Sequence, residues 1–366
     1  MKFIDRLLLP AVAGHKPPKA LVIFGPRRVG TWYTGDSALD VQSLQVPATD
    51  DLRNLLLQGN AIVVDEAQRV PDIGMLLKRL VDINVTLEEP VKIFATGSSS
   101  FELAAGVKES ALGRIKTLQL WPLSTQELAN ANSWGHVTQN IHWHLVYGMY
   151  PEICMDPESA KENLMDHCNA LLYKDIFSLA GIRRSDKFEK LVQFLAYNVG
   201  SLISYDSVSR EVGLNKNTVA DYITLLEQCF IVKVCPSYAK NLANELKKSK
   251  KIYFCDNGIR NAVLGNFSPI ANRSDAGALW ENFVFTERLK LHSYRNDYAQ
   301  IYFWRTQNPR PRELDFIEIV DGKMTAIECK LSKNEVAKPG DSFVKAYPDC
   351  EIRTVSPLDV QRLWQI

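Results

Sequence analysis

Asp315 lies in the segment E-L-D-F, and Glu328-Cys329-Lys330 ends the segment T-A-I-E-C-K. If the two segments pair as antiparallel strands, this D…E-x-K spacing brings two carboxylates and a lysine together. Glu328 and Lys330 then share one face, because strand side chains alternate. Carboxylate oxygens suit a hard cation such as Mg²⁺. The Lys330 ammonium can stabilise charge developing on a phosphate. Glu281, in the helical stretch before the strands, adds a third acid. The chemistry this constellation could perform is metal-dependent phosphodiester cleavage, with Asp315, Glu328 and Lys330 catalytic and Glu281, Asp315 and Glu328 as metal ligands, but binding without cutting is the favoured expectation. The same residues also fit a sheet that holds DNA without cutting it, because D…E-x-K triplets are common and fold does not imply function. Trp304-Arg305-Thr306 offers a stacking and phosphate-contact edge in either case.

A second pair of acids ends N-A-I-V-V-D-E, Asn60–Glu66. An apolar strand closing on two carboxylates is the Walker B arrangement, and such strands open at their carboxyl ends on a phosphate crevice. Asp65 is placed to hold Mg²⁺ and Glu66 to polarise an attacking water. The next apolar run, V-K-I-F-A-T-G-S-S-S, ends in Thr96, Ser98 and Ser99, small hydroxyls suited to sensing a γ-phosphate. Arg114 is either an arginine finger for a neighbouring subunit's nucleotide or a structural residue. The cofactors implied are ATP and Mg²⁺.

The phosphate loop is broken. Gly25-Pro26-Arg27-Arg28-Val29-Gly30 begins G-x-x-x-x-G-K-[ST], but Thr31 stands at the lysine position and Trp32 at the hydroxyl position. The lysine would reach the β/γ-phosphates and the hydroxyl would hold Mg²⁺. The helix that should follow, with its N-terminal dipole, is missing too. Arg27 and Arg28 precede the last glycine and are not expected to substitute. Only the loop and Thr31 separate the strands Ala20–Phe24 and Trp32–Thr34, whereas a parallel crossover takes about a dozen residues or more. Either the chain carries an internal deletion, or a segment has been dropped from the sequence.

The elements around these residues follow from periodicity. Residues 20–122 alternate short apolar strands (20–24, 32–34, 61–64, 91–96, 115–120) with helical stretches near 50–58, 70–85 and 98–105, the pattern of a parallel α/β sheet. Ser124-x-x-Glu127 is a capping box and starts a helix. Residues 136–200 are mostly helical. Residues 204–214 read as helix and turn, and a second helix opens at Asn215-Lys216-Asn217-Thr218 and runs through Leu226. Val219, Tyr222, Leu225 and Leu226 face its core. Its exposed N-terminus is where a recognition helix meets the major groove. The hairpin after it carries Lys247, Lys248, Lys250 and Lys251, a basic wing for phosphates. A solvated charged loop on a winged helix used for packing is the alternative. From residue 276 come one helix and strands at 300–304, 313–320 and 323–331.

The whole chain bounds these readings. It has 366 residues, enough for two or three domains, and is 46% hydrophobic, enough for large cores. Its net charge of +1 excludes a globally basic nucleic-acid binder, so DNA affinity must come from a local patch. Seven scattered cysteines without C-x-x-C suggest reduced thiols and a cytoplasmic location. His142 and His144 lack partner ligands nearby and argue against a metal site there. No membrane span is expected.

In sum the chain resembles the prokaryotic AAA-type ATPases that carry a C-terminal domain of unknown function. G-P-R-R-V-G, V-V-D-E-A-Q, A-T-G-S-S-S and W-P-L-S-T-Q-E carry the resemblance in the first half, and Y-F-C-D-N-G-I-R-N, L-W-E-N-F-V-F and E-L-D-F…I-E-C-K in the second. The resemblance implies an α/β fold in three parts: a P-loop AAA-type module with a parallel sheet (1–135), a helical linker with a winged helix-turn-helix (136–256) and a restriction-endonuclease-like α/β domain (257–366). It implies nucleotide-powered action on DNA, in a homo-oligomer built through the AAA module. The broken loop predicts weak ATP binding and negligible hydrolysis. A metal-dependent DNA nuclease and a non-catalytic protein-interaction scaffold remain the alternatives.

Overall fold

A computed structural model of the chain describes residues 4–24, 33–45, 48–97, 113–176, 185–238, 250–306, 311–332, 335 and 340–365. Its contacts divide the chain into two compact units. One is Leu7–Trp121 with Gln228–Phe230; the other is Met1–Arg6, Pro122–Glu227 and Ile231–Ile366.

The first unit holds β1 (Ala20–Phe24), β2 (Tyr33–Thr34), β3 (Ala61–Asp65), β4 (Lys92–Gly97) and β5 (Ile115–Gln119). They form one sheet in the order β2-β3-β4-β1-β5, every pair parallel. Helices Thr49–Leu56 and Ile73–Asn84 bury Leu52, Leu56, Leu77 and Leu80 with Val22, Val64, Ile93 and Ala95 of the strands. The expected helix over 98–105 lies outside the described residues.

The strand register sets the distance that the link from β1 to β2 must cover. Val22, Ala95, Val64 and Tyr33 lie level across four strands. β2 is therefore a stub beside the carboxyl end of β3, not a strand starting from the far edge. Its first residue lies three strand spacings, about 14 Å, sideways from β1 and about 7 Å back along it. Nine Cα–Cα steps reach up to about 30 Å. A link of this length can therefore span from β1 to β2. Immediately after β2, Gly35 donates its N–H to the Asp65 carbonyl at 2.8 Å. A Cβ on Gly35 would come within 2.3 Å of the Glu66 carbonyl oxygen, so only glycine fits this approach.

In the second unit the Ser124 capping box forms as expected. The Ser124 hydroxyl accepts the Glu127 N–H at 3.2 Å, and the Glu127 carboxylate accepts the Ser124 N–H at 2.8 Å. Helices Tyr205–Val212 and Lys216–Gln228 are followed in space by a small antiparallel sheet. Its strands are β6 (Leu202–Ile203), β7 (Val232–Cys235) and β8 (Lys250–Phe254), in the order β6-β8-β7. The C-terminal sheet has β9 (Gln300–Arg305), β10 (Glu313–Val320), β11 (Lys323–Cys329) and β12 (Glu351–Val355), in the order β12-β11-β10-β9. β9, β10 and β11 pair antiparallel, and β12 joins β11 in parallel.

These two sheets share a core. Tyr253 of β8 stacks on Phe285 of helix Ala276–Arg295, with ring centroids 4.3 Å apart, and meets Phe316 of β10 edge-on at 5.5 Å. Two of the sequence motifs are the polar ties of this core. Asn282 spans the Phe254 backbone, accepting its N–H at 2.7 Å and donating to its carbonyl at 2.9 Å. Asn257 and Asn261 donate to the Leu145 carbonyl, and Asp256 accepts the Met149 N–H at 2.7 Å. A Cβ on Gly258 would sit 2.2 Å from the Tyr147 carbonyl oxygen. D-N-G-I-R-N therefore satisfies buried backbone groups that otherwise cost free energy.

Candidate functional site

At the carboxyl edge of the first unit's sheet, β3 ends in Asp65 with Thr96 of β4 beside it. The Thr96 hydroxyl donates to Asp65 Oδ1. Glu66 leaves the strand in the left-handed region at φ 47°, and its carboxylate accepts the Gln68 amide at 2.6 Å. That backbone turn aims a buried acid away from the strand's alternation, which no sequence periodicity indicates. Arg114 precedes β5 and pairs with Asp82 at 2.6 Å, both side chains substantially exposed. An exposed pair of this kind holds the arginine weakly. Gly25, Pro26, Arg27, Arg28, Gly30 and Ser98 lie outside the described residues.

The carboxylates of the second unit do come together. Asp315 lies opposite Glu328, one step beyond the Phe316–Ile327 pair. The register of β10 against β9 shifts between Leu314 and Ile317, so a bulge sits at Asp315. Bulges re-aim side chains. Asp315 Oδ2 accepts the Cys329 N–H at 2.7 Å. Lys330 Nζ bonds Glu328 Oε1 at 2.8 Å, while Glu328 Oε2 is buried with no hydrogen-bond partner among the described residues. Burial, then the charges of Glu281 and Glu328, push the Asp315 carboxyl up to about 7. Like charges opposed across strands are destabilising, and Glu281 and Glu328 add to the upward shift that burial begins. Burial raises the neighbouring Cys329 thiol as well, so it is no nucleophile at neutral pH.

Lys251 corrects the sequence reading. It was expected on a solvent-facing wing, but its side chain is only 3% exposed and its Nζ lies 2.8 Å from Glu281 Oε1 and 2.6 Å from Glu313 Oε1. Burial alone would lower its pKa; Glu281, Glu313 and Asp315 more than reverse that and keep it charged. The reason for the misreading is strand alternation within β8. Lys250 lies over the Tyr205 ring at 4.7 Å, while Lys251 turns into the core. Glu281 is likewise engaged, accepting both Lys251 and the Tyr253 hydroxyl (2.5 Å) on Oε1. Among the described residues no group of three or more His, Cys, Asp and Glu side chains is arranged to hold a metal ion. Asp315, Glu328 and Lys330 are thus adjacent as expected, but Glu281 does not join them as a free metal ligand.

The helix-turn-helix presents a third surface. Asn215 caps the second helix by accepting the Thr218 N–H at 2.8 Å. Asn215, Lys216 and Asn217 are exposed and Thr218 is half-buried. Lys216 pairs with Asp206 at 2.8 Å, with both side chains more than half exposed. Val219, Leu225 and Leu226 are buried as expected, joined by Ile223; Tyr222 is half-buried and packs edge-on against Phe188. Lys247 and Lys248 lie outside the described residues.

Comparison with known proteins places these parts. An AAA domain model matches residues 17–129, a domain of unknown function (DUF8612) matches 138–269, and another (DUF4143) matches 276–361. The chain thus carries an AAA domain followed by a C-terminal DUF4143 domain, on a mixed α/β architecture whose N-terminal sheet is parallel. An uncharacterised protein of Mycobacterium tuberculosis is 26% identical over 330 residues, 86% of this chain and 71% of that protein. One from Haemophilus influenzae is 27% identical over 236 residues, 62% of this chain and 55% of that protein. One from the archaeon Methanocaldococcus jannaschii is 23% identical over 296 residues, 73% and 60% of the two chains. Among solved structures, the Aeropyrum pernix ORC1 protein in complex with DNA gives a TM-score of 0.25 at 15% identity, covering 71% of this chain and 90% of that one. No helix among the described residues is long and apolar enough to cross a membrane.

Proposed function

We propose that this chain is an AAA-type nucleotide-binding protein that binds DNA and has lost most of its capacity to hydrolyse ATP. In this reading residues 1–135 contain the nucleotide site, 136–256 the DNA contact through a winged helix, and 257–366 a restriction-endonuclease-like sheet. The observation that carries the reading is the pairing of Asp65 with Thr96 at the carboxyl edge of a parallel sheet, in a chain whose sequence lacks the P-loop Lys and Ser/Thr. Asp65 is set to hold Mg²⁺ and Glu66 to orient water, but the main counter-charge for the triphosphate is gone. Two unneutralised carboxylates repel a polyanion. Arg114, freed from its surface pair, is the residue to reach a neighbouring subunit's nucleotide in a homo-oligomer. DNA contact rests on Asn215–Thr218 and the Lys247–Lys250 wing.

Intact mass and calorimetry test the nucleotide half together. At 41.4 kDa the deletion is real, and ATP binding is expected no tighter than about millimolar. Tight ATP binding at that mass would overturn the proposal. Extra mass of roughly 15–20 residues, the length of a crossover helix, would restore the full ATPase reading. The DNA half is tested by gel shift at low salt. Failure to shift any DNA leaves the interaction scaffold.

A further inference from the structure

The ammonium of Lys251 sits where the carboxylates of β10 and helix Ala276–Arg295 converge. Two of its three N–H donors are within reach of Glu281 and Glu313 at 2.8 and 2.6 Å, the short distances of charge-assisted bonds. The Phe303 ring lies 5.6 Å from the nitrogen and shields it from water. Tyr253 donates to the same Glu281 oxygen as the lysine. A divalent ion bound here would have to displace both donors and then find a near-octahedral oxygen set. Among the described residues the acids offer no cluster of three for it.

We propose that Lys251 is the resident cation of this carboxylate cluster, occupying by a tethered ammonium the position a divalent metal would otherwise take. The D…E-x-K residues are thereby held as a metal-free surface that does not cleave DNA. This rests on the nuclease-like reading of the C-terminal sheet and is independent of the ATP reading. A buried ammonium is costly unless fully paired, and here Glu281, one of the acids expected to serve a metal, pairs it together with Glu313. Because the lysine is part of the chain, its effective concentration at the acids stays high and free Mg²⁺ competes poorly.

The test is Mn²⁺ binding to the full chain, counted by electron paramagnetic resonance of the free ion without nucleotide. The wild type, Lys251→Met and Lys251→Gln are each compared with and without Asp315→Asn, to subtract ions bound elsewhere. Wild type is expected to show no Asp315-dependent Mn²⁺ site. Lys251→Met is expected to gain one Asp315-dependent Mn²⁺ site and to lose it with Asp315→Asn. An Asp315-dependent site of equal affinity in wild type would overturn the proposal, as would folded Lys251 variants that gain nothing. If both variants unfold, recovery of native circular dichroism on adding Mn²⁺ supports it, and absence of recovery overturns it. None of these outcomes depends on whether the chain shifts DNA, so failure here and failure of the DNA reading are distinguishable.

Discussion

His144 is 6% exposed, and burial pushes its imidazole down to about 4 from the ordinary 6.5. The folded state keeps it neutral while the unfolded chain titrates normally. The resulting stability is complete above pH 6.5 and is lost as pH falls from 6.5 toward 4, by about 3 kcal/mol at most. Urea midpoints of the second unit's unfolding should fall between pH 7.5 and 4.5, and His144→Phe should flatten that slope. Arg288 and Glu318 form a second residue-scale test. Their buried pair, at 2.6 Å, also engages His292 at 3.2 Å from Glu318. Glu318→Ala strands a buried guanidinium and should cost about 3–5 kcal/mol in denaturant titration.

At the scale of elements, helix Lys216–Gln228 projects Lys216 outward, held by Asp206 across an exposed pair. Such a pair is worth at most about 1 kcal/mol and yields readily to a phosphate. Lys216→Ala should weaken DNA binding about equally for all sequences and lower the salt slope by about 1 in gel shifts across a salt series. Lys251→Ala, by contrast, should not change that slope, because Lys251 is buried against Glu281 and Glu313. Strand elements set the other limits: the register shift in β10 falls at Asp315, which lies opposite Glu328.

At the scale of the whole molecule, an AAA domain and a DUF4143 domain lie on one chain with a net charge of +1. Association with DNA then depends on local patches and should be strongly salt-sensitive. With Mn²⁺ present, plasmid and branched DNA should be bound without being cut, as agarose gels would show. Cleavage abolished by Asp315→Asn would reverse that expectation and make the C-terminal sheet a working nuclease.

Much of the fold was legible in the residues alone. Short apolar runs mark β1, β3, β4, β10 and β11, and Ser124-x-x-Glu127 marks a helix start, because these signals lie within a few residues. D-N-G-I-R-N and L-W-E-N-F-V-F were visible as motifs, yet their work, tying Asn257, Asn261 and Asn282 to distant carbonyls and amides, was not. β6 and β12 escaped sequence reading: the first is two residues long, and the second pairs in parallel across a long connection. The side on which a charged residue falls was decided only by tertiary structure. Lys250 and Lys251 are neighbours of identical type, and nothing local says which turns inward. That choice was made by Glu281 and Glu313, 30 and 62 positions further along the chain, whose carboxylates make burial of one ammonium favourable only once the β8 strand, the helix and β10 have packed together.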